Sequence, residues 1–261
     1  FMSYSIFSNL PVPDPVAFTI FSFDVMWYGI LIATGIILAT IFVYYRAPMH
    51  GIDQDRSLDF ILICLPIGII GARAYYVFFE WDYYVGDIYK IINIREGGLA
   101  IHGGLIFGML AAAILCIIWK IRPFNLLDLV VPAIALAQSI GRWGNYFNSE
   151  AHGGPTSLPW GIIVNGEMVH PTFLYESIWC FVLFILLLLI DNRRKFEGQV
   201  FLLYGILYSI ERFFVEWLRT DSLMLGSLKQ AQMLSLSVIV VFSVLYIILN
   251  RKSDFKRKRR N

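Results

Sequence analysis

The sequence predicts an all-α polytopic membrane protein with seven transmembrane helices. Hydrophobic residues make up 58% of the 261 residues and charged residues only 15%, whereas soluble domains are about 45–50% apolar and about 25% charged. Seven apolar runs are long enough to cross a hydrocarbon core, which takes about 20 helical residues. Basic residues are concentrated in alternate connections between these runs, which is typical of a multi-pass protein.

The predicted spans differ in length, and the fourth is both the shortest and interrupted by Pro132. A proline inside a span is tolerated only where neighbouring helices satisfy the carbonyl group that it leaves free. The seven predicted spans are 22–45, 58–80, 99–119, 125–141, 173–191, 199–218 and 231–250.

The distribution of Lys and Arg predicts the orientation. Two lie between spans 1 and 2, two between spans 3 and 4, three between spans 5 and 6, and seven after span 7, whereas the remaining connections hold five together. Because positive residues favour the cytoplasmic side, the N-terminus is expected outside and the C-terminus inside. The connections at about 81–98 and 142–172 then lie on the outer side.

The second of these outer connections contains a predicted β-hairpin. Asn165-Gly166 stands between two short apolar strands, which is a strong signal for a type I′ turn. We therefore expect a small hairpin within an outer-face head region at about 142–172. The 81–98 connection is rich in Trp and Tyr, which indicates an aromatic belt at the membrane interface.

Ionisable residues inside the spans are candidate functional residues, because a charge at membrane depth is costly. Arg73 lies in the second span, and His102 lies in a glycine-rich segment of the third. In the sixth span, Tyr208, Arg212 and Glu216 are four residues apart and share one helix face. Arg212 either forms a structural ion pair with Glu216 or binds an anion, since its planar guanidinium matches a phosphate group.

Arg142 is a second cation, at the outer end of the fourth span. Gly141 and Gly144 beside it permit close backbone approach, and Asn145 and Glu150 add hydrogen-bonding groups. A polar helix terminus would explain these residues one by one. Together with Arg212, however, they are more typical of a site for a lipid head-group phosphate. His102 is either a structural histidine or a general base for a thiol or hydroxyl group.

Residues 141–153, Gly-Arg-Trp-Gly-Asn-Tyr-Phe-Asn-Ser-Glu-Ala-His-Gly, resemble the signature of bacterial phosphatidylglycerol–prolipoprotein diacylglyceryl transferases. Four further motifs follow the order of that family, so the resemblance covers nearly the whole chain. They are Trp27-Tyr28-Gly29, His102-Gly103-Gly104, His170-Pro171 with Leu174-Tyr175-Glu176, and the segment 212–219. His152 departs from the pattern, where an aromatic residue is expected, and this concerns only local packing.

The resemblance implies a multi-pass enzyme of the bacterial cytoplasmic (inner) membrane. It implies transfer of the diacylglyceryl group from phosphatidylglycerol to the lipobox cysteine of a preprolipoprotein signal peptide, with glycerol phosphate released. Residues 1–250 would form the transmembrane catalytic domain and residues 251–261 a basic cytoplasmic tail. Membrane lipids are expected partners, whereas no cofactor, metal ion or nucleic acid is expected.

The resemblance also implies the residues of the site. The expected catalytic residues are His102, Arg142 and Arg212. The expected substrate-binding residues are Tyr28, Asn145, Glu150, Gly153, Glu176, Tyr208 and Glu216. We expect the two arginines to stabilise the leaving phosphate group, and the three carboxylates of this set to hold the arginines in place.

Three other classes of protein compete with this interpretation. A transporter or flippase of an anionic lipid would also place arginines at membrane depth, but it should show two related halves with broken helices, and the sequence shows no such repeat. An enzyme that moves the phosphoryl group usually needs an acidic metal cluster. A structural scaffold explains neither the arginines nor His102.

Overall fold

The computed structural model describes residues 13–94, 97–220, 222, 224–225 and 228–258, with only the backbone described at 225, 228 and 254–258. The chain divides into two compact units. The large unit contains the residues up to 42 and those from 127 onward, and the small unit contains residues 43–126.

The described residues are mainly helical, with short strands that pair in sequential hairpins. In chain order the elements are β1 Val16–Ile20, β2 Phe23–Met26, α1 Trp27–Arg46 followed by a 3₁₀ turn Ala47–His50, α2 Gln54–Phe79, α3 Trp81–Tyr84, α4 Ile88–Ile92, α5 Ile101–Ile118, α6 Pro123–Phe147, β3 Ile162–Val164, β4 Glu167–Val169, α7 Thr172–Asp191, α8 Gln199–Leu218, β5 Met224–Leu225, β6 Leu228–Lys229 and α9 Gln230–Lys258.

Within the described residues, six helices are long and apolar enough to cross a membrane, namely α1, α2, α5, α6, α7 and α9. The seventh predicted span corresponds to α8, which is 20 residues long but is not among the six. It carries Glu211, Arg212 and Glu216, and these ionisable residues reduce its apolar character.

The first helix begins later than predicted, because a β-hairpin occupies the expected start of the span. β1 and β2 pair antiparallel, and α1 begins directly after them at Trp27 instead of residue 22. The turn residues Phe21 and Ser22 have φ angles of 46° and 67°. Hairpin turns with positive φ normally carry Gly, Asn or Asp, so Phe-Ser gives no recognisable turn signal in the sequence.

Two helices extend beyond their predicted ends. α6 continues from the predicted end at 141 to Phe147, so the first residues of the expected head region are helical. Gly144 does not end this helix; a Cβ there would overlap the ring of Tyr28, so the glycine serves close packing. α9 continues from the predicted end at 250 to Lys258, and residues 259–261 of the basic tail lie outside the described residues.

The predicted hairpin at Asn165-Gly166 is confirmed. Ile162–Val164 pairs antiparallel with Glu167–Val169, and Ile162 lies opposite Val169. Asn165 and Gly166 have φ angles of 51° and 84°, as a type I′ turn requires.

The core of the large unit joins the three helices that carry the candidate site. Val131 and Ala135 of α6 pack with Leu183 and Leu187 of α7 and with Val200 of α8, and all five are at most 2% exposed. Close packing of this kind fixes the helices relative to one another. The polar residues of the candidate site lie about two to four turns from this core on the same three helices, so they are held on a rigid support.

Asp128 of α6 fixes the start of α8. Its carboxylate is fully buried and accepts hydrogen bonds from the backbone N–H groups of Gly198 (2.7 Å) and Phe201 (2.9 Å). The first N–H groups of a helix have no partner within the helix, so a side chain from a neighbouring helix can satisfy them. Arg194 lies 3.5 Å from the same carboxylate and balances its charge.

We expect Asp128→Ala to destabilise the protein by about 1–3 kcal/mol, because it leaves buried N–H groups without acceptors. Thermal unfolding in one detergent, compared with wild type, measures the loss. Asp59→Ala is the matched control, since Asp59 is exposed on α2. Equal melting temperatures for the two variants would show that the cap contributes nothing.

In the small unit, α2 and α5 approach closely through glycines. A Cβ on Gly71 would overlap the ring of Phe107, and a Cβ on Gly68 would lie 3.4 Å from the carbonyl oxygen of Gly104. Small residues at a helix–helix contact are the usual means by which membrane helices pack tightly. This contact places the N-terminal end of α5, with His102, beside the C-terminal half of α2.

Candidate active site

Arg142 and Arg212, the two arginines singled out in the sequence, meet on a single carboxylate of the large unit. Arg212 Nη1 donates a hydrogen bond to Glu176 Oε1 at 2.9 Å, and Arg142 Nη1 lies 3.1 Å from Glu176 Oε2. The three residues come from α8, α7 and α6, so the contact joins three helices. Two guanidinium groups, distant in sequence, therefore share one counter-ion.

Burial differs across this cluster. The Glu176 side chain is 1% exposed, whereas those of Arg142 and Arg212 are 21% and 22% exposed. The carboxylate is thus enclosed, and both arginines retain accessible surface. A buried carboxylate is costly unless it is paired, and the low dielectric strengthens each of its contacts.

Tyr208 and Glu216 complete the cluster from the same face of α8. Arg212 Nη2 lies 2.7 Å from Glu216 Oε2, and Arg142 Nη2 donates to the Tyr208 hydroxyl at 3.3 Å. The predicted face of α8 and its ion pair are therefore confirmed. Each guanidinium has five N–H donors, and neither Nε has a partner among the described residues. Donors remain for a ligand.

Glu211 is a third carboxyl group of α8, next to Arg212 in sequence. It is 7% exposed, and neither of its carboxyl oxygens has a hydrogen-bond partner within the described part of the chain. An unpaired polar group at this depth costs free energy. The sequence shows Glu211 only as one more ionisable residue of the predicted sixth span and assigns it no role.

Asn145, in the last turn of α6, and Glu150, just after that helix, form a separate polar contact. Asn145 Nδ2 donates to Glu150 Oε1 at 3.0 Å, and Asn148 Nδ2 lies 3.3 Å from the same oxygen. The two amides bind the carboxylate of Glu150, and the described residues show no ion pair between Glu150 and an arginine, so the expectation that Glu150 holds an arginine gains no support from these contacts. The backbone N–H of Glu150 also bonds the Asn145 carbonyl, which closes the chain into a tight turn.

Gly153 occupies a position with no room for a side chain. Its N–H donates to the His170 carbonyl at 2.9 Å, and a Cβ there would lie 2.7 Å from the Cβ of His170. The Tyr175 hydroxyl accepts from Trp160 Nε1 at 2.9 Å and lies 3.3 Å from His170 Nδ1. These contacts join the signature segment to the start of α7, and so to Glu176.

His102 belongs to the small unit, where it is the second residue of α5. Its imidazole is exposed and lies beside Tyr75, with 6.3 Å between the ring centroids. A proton acceptor must be accessible to the thiol, and the exposed side chain meets that requirement. Five of the predicted site residues therefore lie together in one cluster, which we call the arginine cluster: Arg142, Glu176, Tyr208, Arg212 and Glu216. His102 is described within the small unit.

Comparison with known proteins identifies the family. The family model described as "Prolipoprotein diacylglyceryl transferase" matches residues 15–248. The chain belongs to this family. A transferase named phosphatidylglycerol–prolipoprotein diacylglyceryl transferase from Clostridioides difficile is 53% identical over 240 residues, which are 92% of this chain and 97% of the relative. A relative of the same name from Finegoldia magna is 49% identical over 247 residues, 93% of this chain and 100% of its own.

Family membership and the six apolar helices together make the chain a multi-pass membrane transferase. The family resemblance drawn from residues 141–153 is confirmed. The match at 15–248 also includes the arginine cluster and His102.

Arg73 of the transferase, singled out in the sequence as an ionisable residue within a span, has a structural role. Its guanidinium is buried and donates five hydrogen bonds of 2.6–2.9 Å to backbone carbonyls. The acceptors are residues 90, 91, 93, 97 and 98, so Arg73 fastens the 81–98 connection to α2. Tyr84 packs on the same guanidinium, with 4.9 Å from Cζ to the ring centroid. A Gly-Ala-Arg sequence gives no signal for carbonyl binding.

Proposed function

We propose that this chain transfers the diacylglyceryl group of phosphatidylglycerol to the lipobox cysteine thiol of a preprolipoprotein. The family match and the names of the relatives support the reaction. The observation that supports the site is the convergence of Arg142 and Arg212 on the buried carboxylate of Glu176.

The reaction is a substitution at a saturated carbon. The cysteine sulfur forms a bond to the terminal glycerol carbon of the diacylglyceryl group, and the bond from that carbon to the phosphate oxygen breaks. The thiol loses its proton, because the thiolate is the nucleophile. Glycerol phosphate leaves with the bonding electron pair, so its phosphate gains a second negative charge. A site that binds this dianion better than the starting diester lowers the barrier selectively.

Arg142 and Arg212 are suited to that task. A guanidinium remains charged at low dielectric, and its planar fork matches two phosphate oxygens. Glu176 holds both groups at a fixed separation, and Glu216 orients Arg212 from the next helical turn. The fixed carboxylates spare the arginines from reorganising as charge develops on the phosphate.

The remaining site residues act on the thiol and the lipid. His102 accepts the thiol proton, for which an exposed imidazole is suited. Tyr28, Asn145 and Tyr208 supply hydrogen bonds to the lipid. Glu150 and Gly153 shape the turn that follows α6, since Glu150 binds the Asn145 amide and Gly153 has no room for a Cβ.

The topology proposed here has seven spans, with α8 crossing the bilayer. Its 20 residues reach about 30 Å, the thickness of the hydrocarbon core. The pairing of Arg212 with Glu176 and Glu216 supports this assignment, because charges in a span need partners inside the bundle. The charge distribution favours an outer N-terminus, an outer head region and a cytoplasmic tail in the bacterial cytoplasmic membrane.

One assay tests this function against its rivals. Purified protein is incubated with phosphatidylglycerol and a lipobox peptide, and mass spectrometry follows the peptide and the released product. Transfer adds a diacylglyceryl group to the cysteine and releases free glycerol phosphate. A peptide that gains phosphorus would indicate phosphoryl transfer, and lipid movement in vesicles without any adduct would indicate a flippase.

We expect His102→Gln to lower kcat by about 10²–10⁴-fold, the usual contribution of a general base, and to leave phosphatidylglycerol binding intact. Glutamine keeps the polarity of the side chain but cannot accept the thiol proton. Turnover and lipid affinity are measured separately, and His152→Gln reports the cost of losing another imidazole. If lipid affinity falls instead of kcat, His102 is a lipid ligand and not the base.

A further inference from the structure

A groove with apolar walls runs along the end of α2 in the small unit. Its volume is about 630 Å³, and nine of its ten lining residues are apolar. We call it the chain groove. Its lining includes Ile69, Ile70, Phe78, Trp81 and Ile92. All five are exposed on the protein surface. Arg73 is the one charged residue in its wall.

A polar pocket of about 320 Å³ shares Arg73 with the chain groove. We call it the head pocket, and its lining includes Arg73, Glu80, Tyr83 and Lys90. Lys90 Nζ lies 4.9 Å from the centroid of the Tyr83 ring. These residues lie in the connection after α2, where the sequence predicts an aromatic belt at the membrane interface.

The charges of the head pocket favour an anion. All five N–H groups of Arg73 are used by backbone carbonyls, and Arg73 has no ion pair with a carboxylate among the described residues. Its positive charge is therefore not neutralised by an acid. Lys90 adds a second positive charge, and Glu80 is the one acid in the lining, so the pocket carries a formal charge of +1. Lys90 and Tyr83 are left to contact a ligand.

The length of the chain groove matches one leaflet of a bilayer. From Ile69 to Phe78, the α2 residues that line the groove, the helix rises about 13–14 Å at about 1.5 Å per residue. The hydrocarbon core is about 30 Å thick, so one leaflet spans about 15 Å. α2 is long and apolar enough to cross the membrane, and the chain groove follows its C-terminal part. The head pocket lies at the C-terminal end of α2, where the membrane interface is expected.

We propose that the chain groove and the head pocket together bind one phospholipid with an anionic head group. An acyl chain lies against Ile69, Ile70 and Phe78, and the phosphate lies beside Lys90. This site uses none of Arg142, Glu176 and Arg212, and the inference does not depend on the proposed function.

Trp81 in the wall of the groove provides the test. The full chain is placed in phosphatidylcholine nanodiscs that contain a fixed small fraction of brominated lipid, with the bromines near the carboxyl ends of the acyl chains. The difference between wild type and Trp81→Phe isolates the quenching of Trp81. We expect brominated phosphatidylglycerol to occupy the site about fivefold more than brominated phosphatidylcholine, since one positive charge attracts anionic lipid by that factor.

In Lys90→Gln, we expect brominated phosphatidylglycerol and brominated phosphatidylcholine to quench Trp81 almost equally. Lys252→Gln is the control, since Lys252 is exposed near the end of α9, and this variant is expected to keep the preference for phosphatidylglycerol. Equal quenching by both lipids in wild type, or an unchanged preference in Lys90→Gln, overturns the proposal. Displacement of the brominated lipid by the lipobox peptide also overturns it, since the groove is then a peptide site. Arg142→Ala separates the two proposals, because it is expected to lose transfer and keep the Trp81 preference.

Discussion

Arg212→Ala and Arg142→Ala are each expected to lower kcat for diacylglyceryl transfer by at least about 10²–10³-fold, the effect of removing one group that stabilises developing charge. Both guanidiniums bind Glu176 and keep accessible surface, so each has donors for a phosphate. Lysine at either position should restore little activity, because an ammonium group cannot bind two oxygens in the plane of a fork.

The assay measures the lipidated peptide by mass spectrometry at saturating phosphatidylglycerol. Arg193→Ala is the matched control, since Arg193 is exposed in the turn after α7. It should retain wild-type turnover. Full turnover by Arg212→Lys would refute the two-oxygen contact, and full turnover by Arg212→Ala would remove this arginine from the mechanism.

Glu176→Gln is expected to have an effect of similar size, although Glu176 touches no substrate in this account. Its loss leaves two guanidiniums without their shared counter-ion, and breaking a buried ion pair costs about 3–5 kcal/mol of stability. Arg142 then loses its ion pair, and Arg212 keeps only the one with Glu216, so we expect kcat to fall by about 10²-fold, the usual effect of a small misplacement in an active site.

Comparison of kcat, KM and melting temperature separates positioning from folding. Glu176→Asp keeps the charge and should recover stability more than kcat, because the shorter side chain cannot reach both arginines at their present distances. Glu167→Gln, at the exposed first position of strand β4, is the matched control. If Glu176→Gln lowers the melting temperature and leaves kcat unchanged in the folded fraction, Glu176 has a structural role only.

The sequence predicts six of the spans because each is an apolar run that is long enough to cross the hydrocarbon core. It predicts the type I′ hairpin because Asn165-Gly166 adopts positive φ readily. The hairpin of β1 and β2 escapes prediction, since Phe21 and Ser22 are unusual at positive φ. The late end of α6 also escapes, because glycines that permit helix packing resemble glycines that end a helix.

The site is predictable where its contacts are local. Helical spacing places Arg212 and Glu216 together, and the structure confirms their ion pair. That Glu176 bridges both arginines depends on the packing of three helices, which periodicity does not specify. Glu150 is an exception, because its contacts with the amides of Asn145 and Asn148 are close in sequence but lie where the chain leaves α6, and helical spacing does not apply there.

A double-mutant cycle tests most directly whether the two arginines act on one phosphate. The variants are Arg142→Lys, Arg212→Lys and the pair, and the quantity is the dissociation constant for phosphatidylglycerol, with thermal unfolding without lipid as the reference cycle. The account predicts non-additive losses of affinity, with a coupling free energy that exceeds the one in the unfolding cycle by more than about 0.5 kcal/mol, since the shared Glu176 already couples the two arginines in the folded protein. Additive losses of affinity would contradict it, because the arginines would then bind independently of each other.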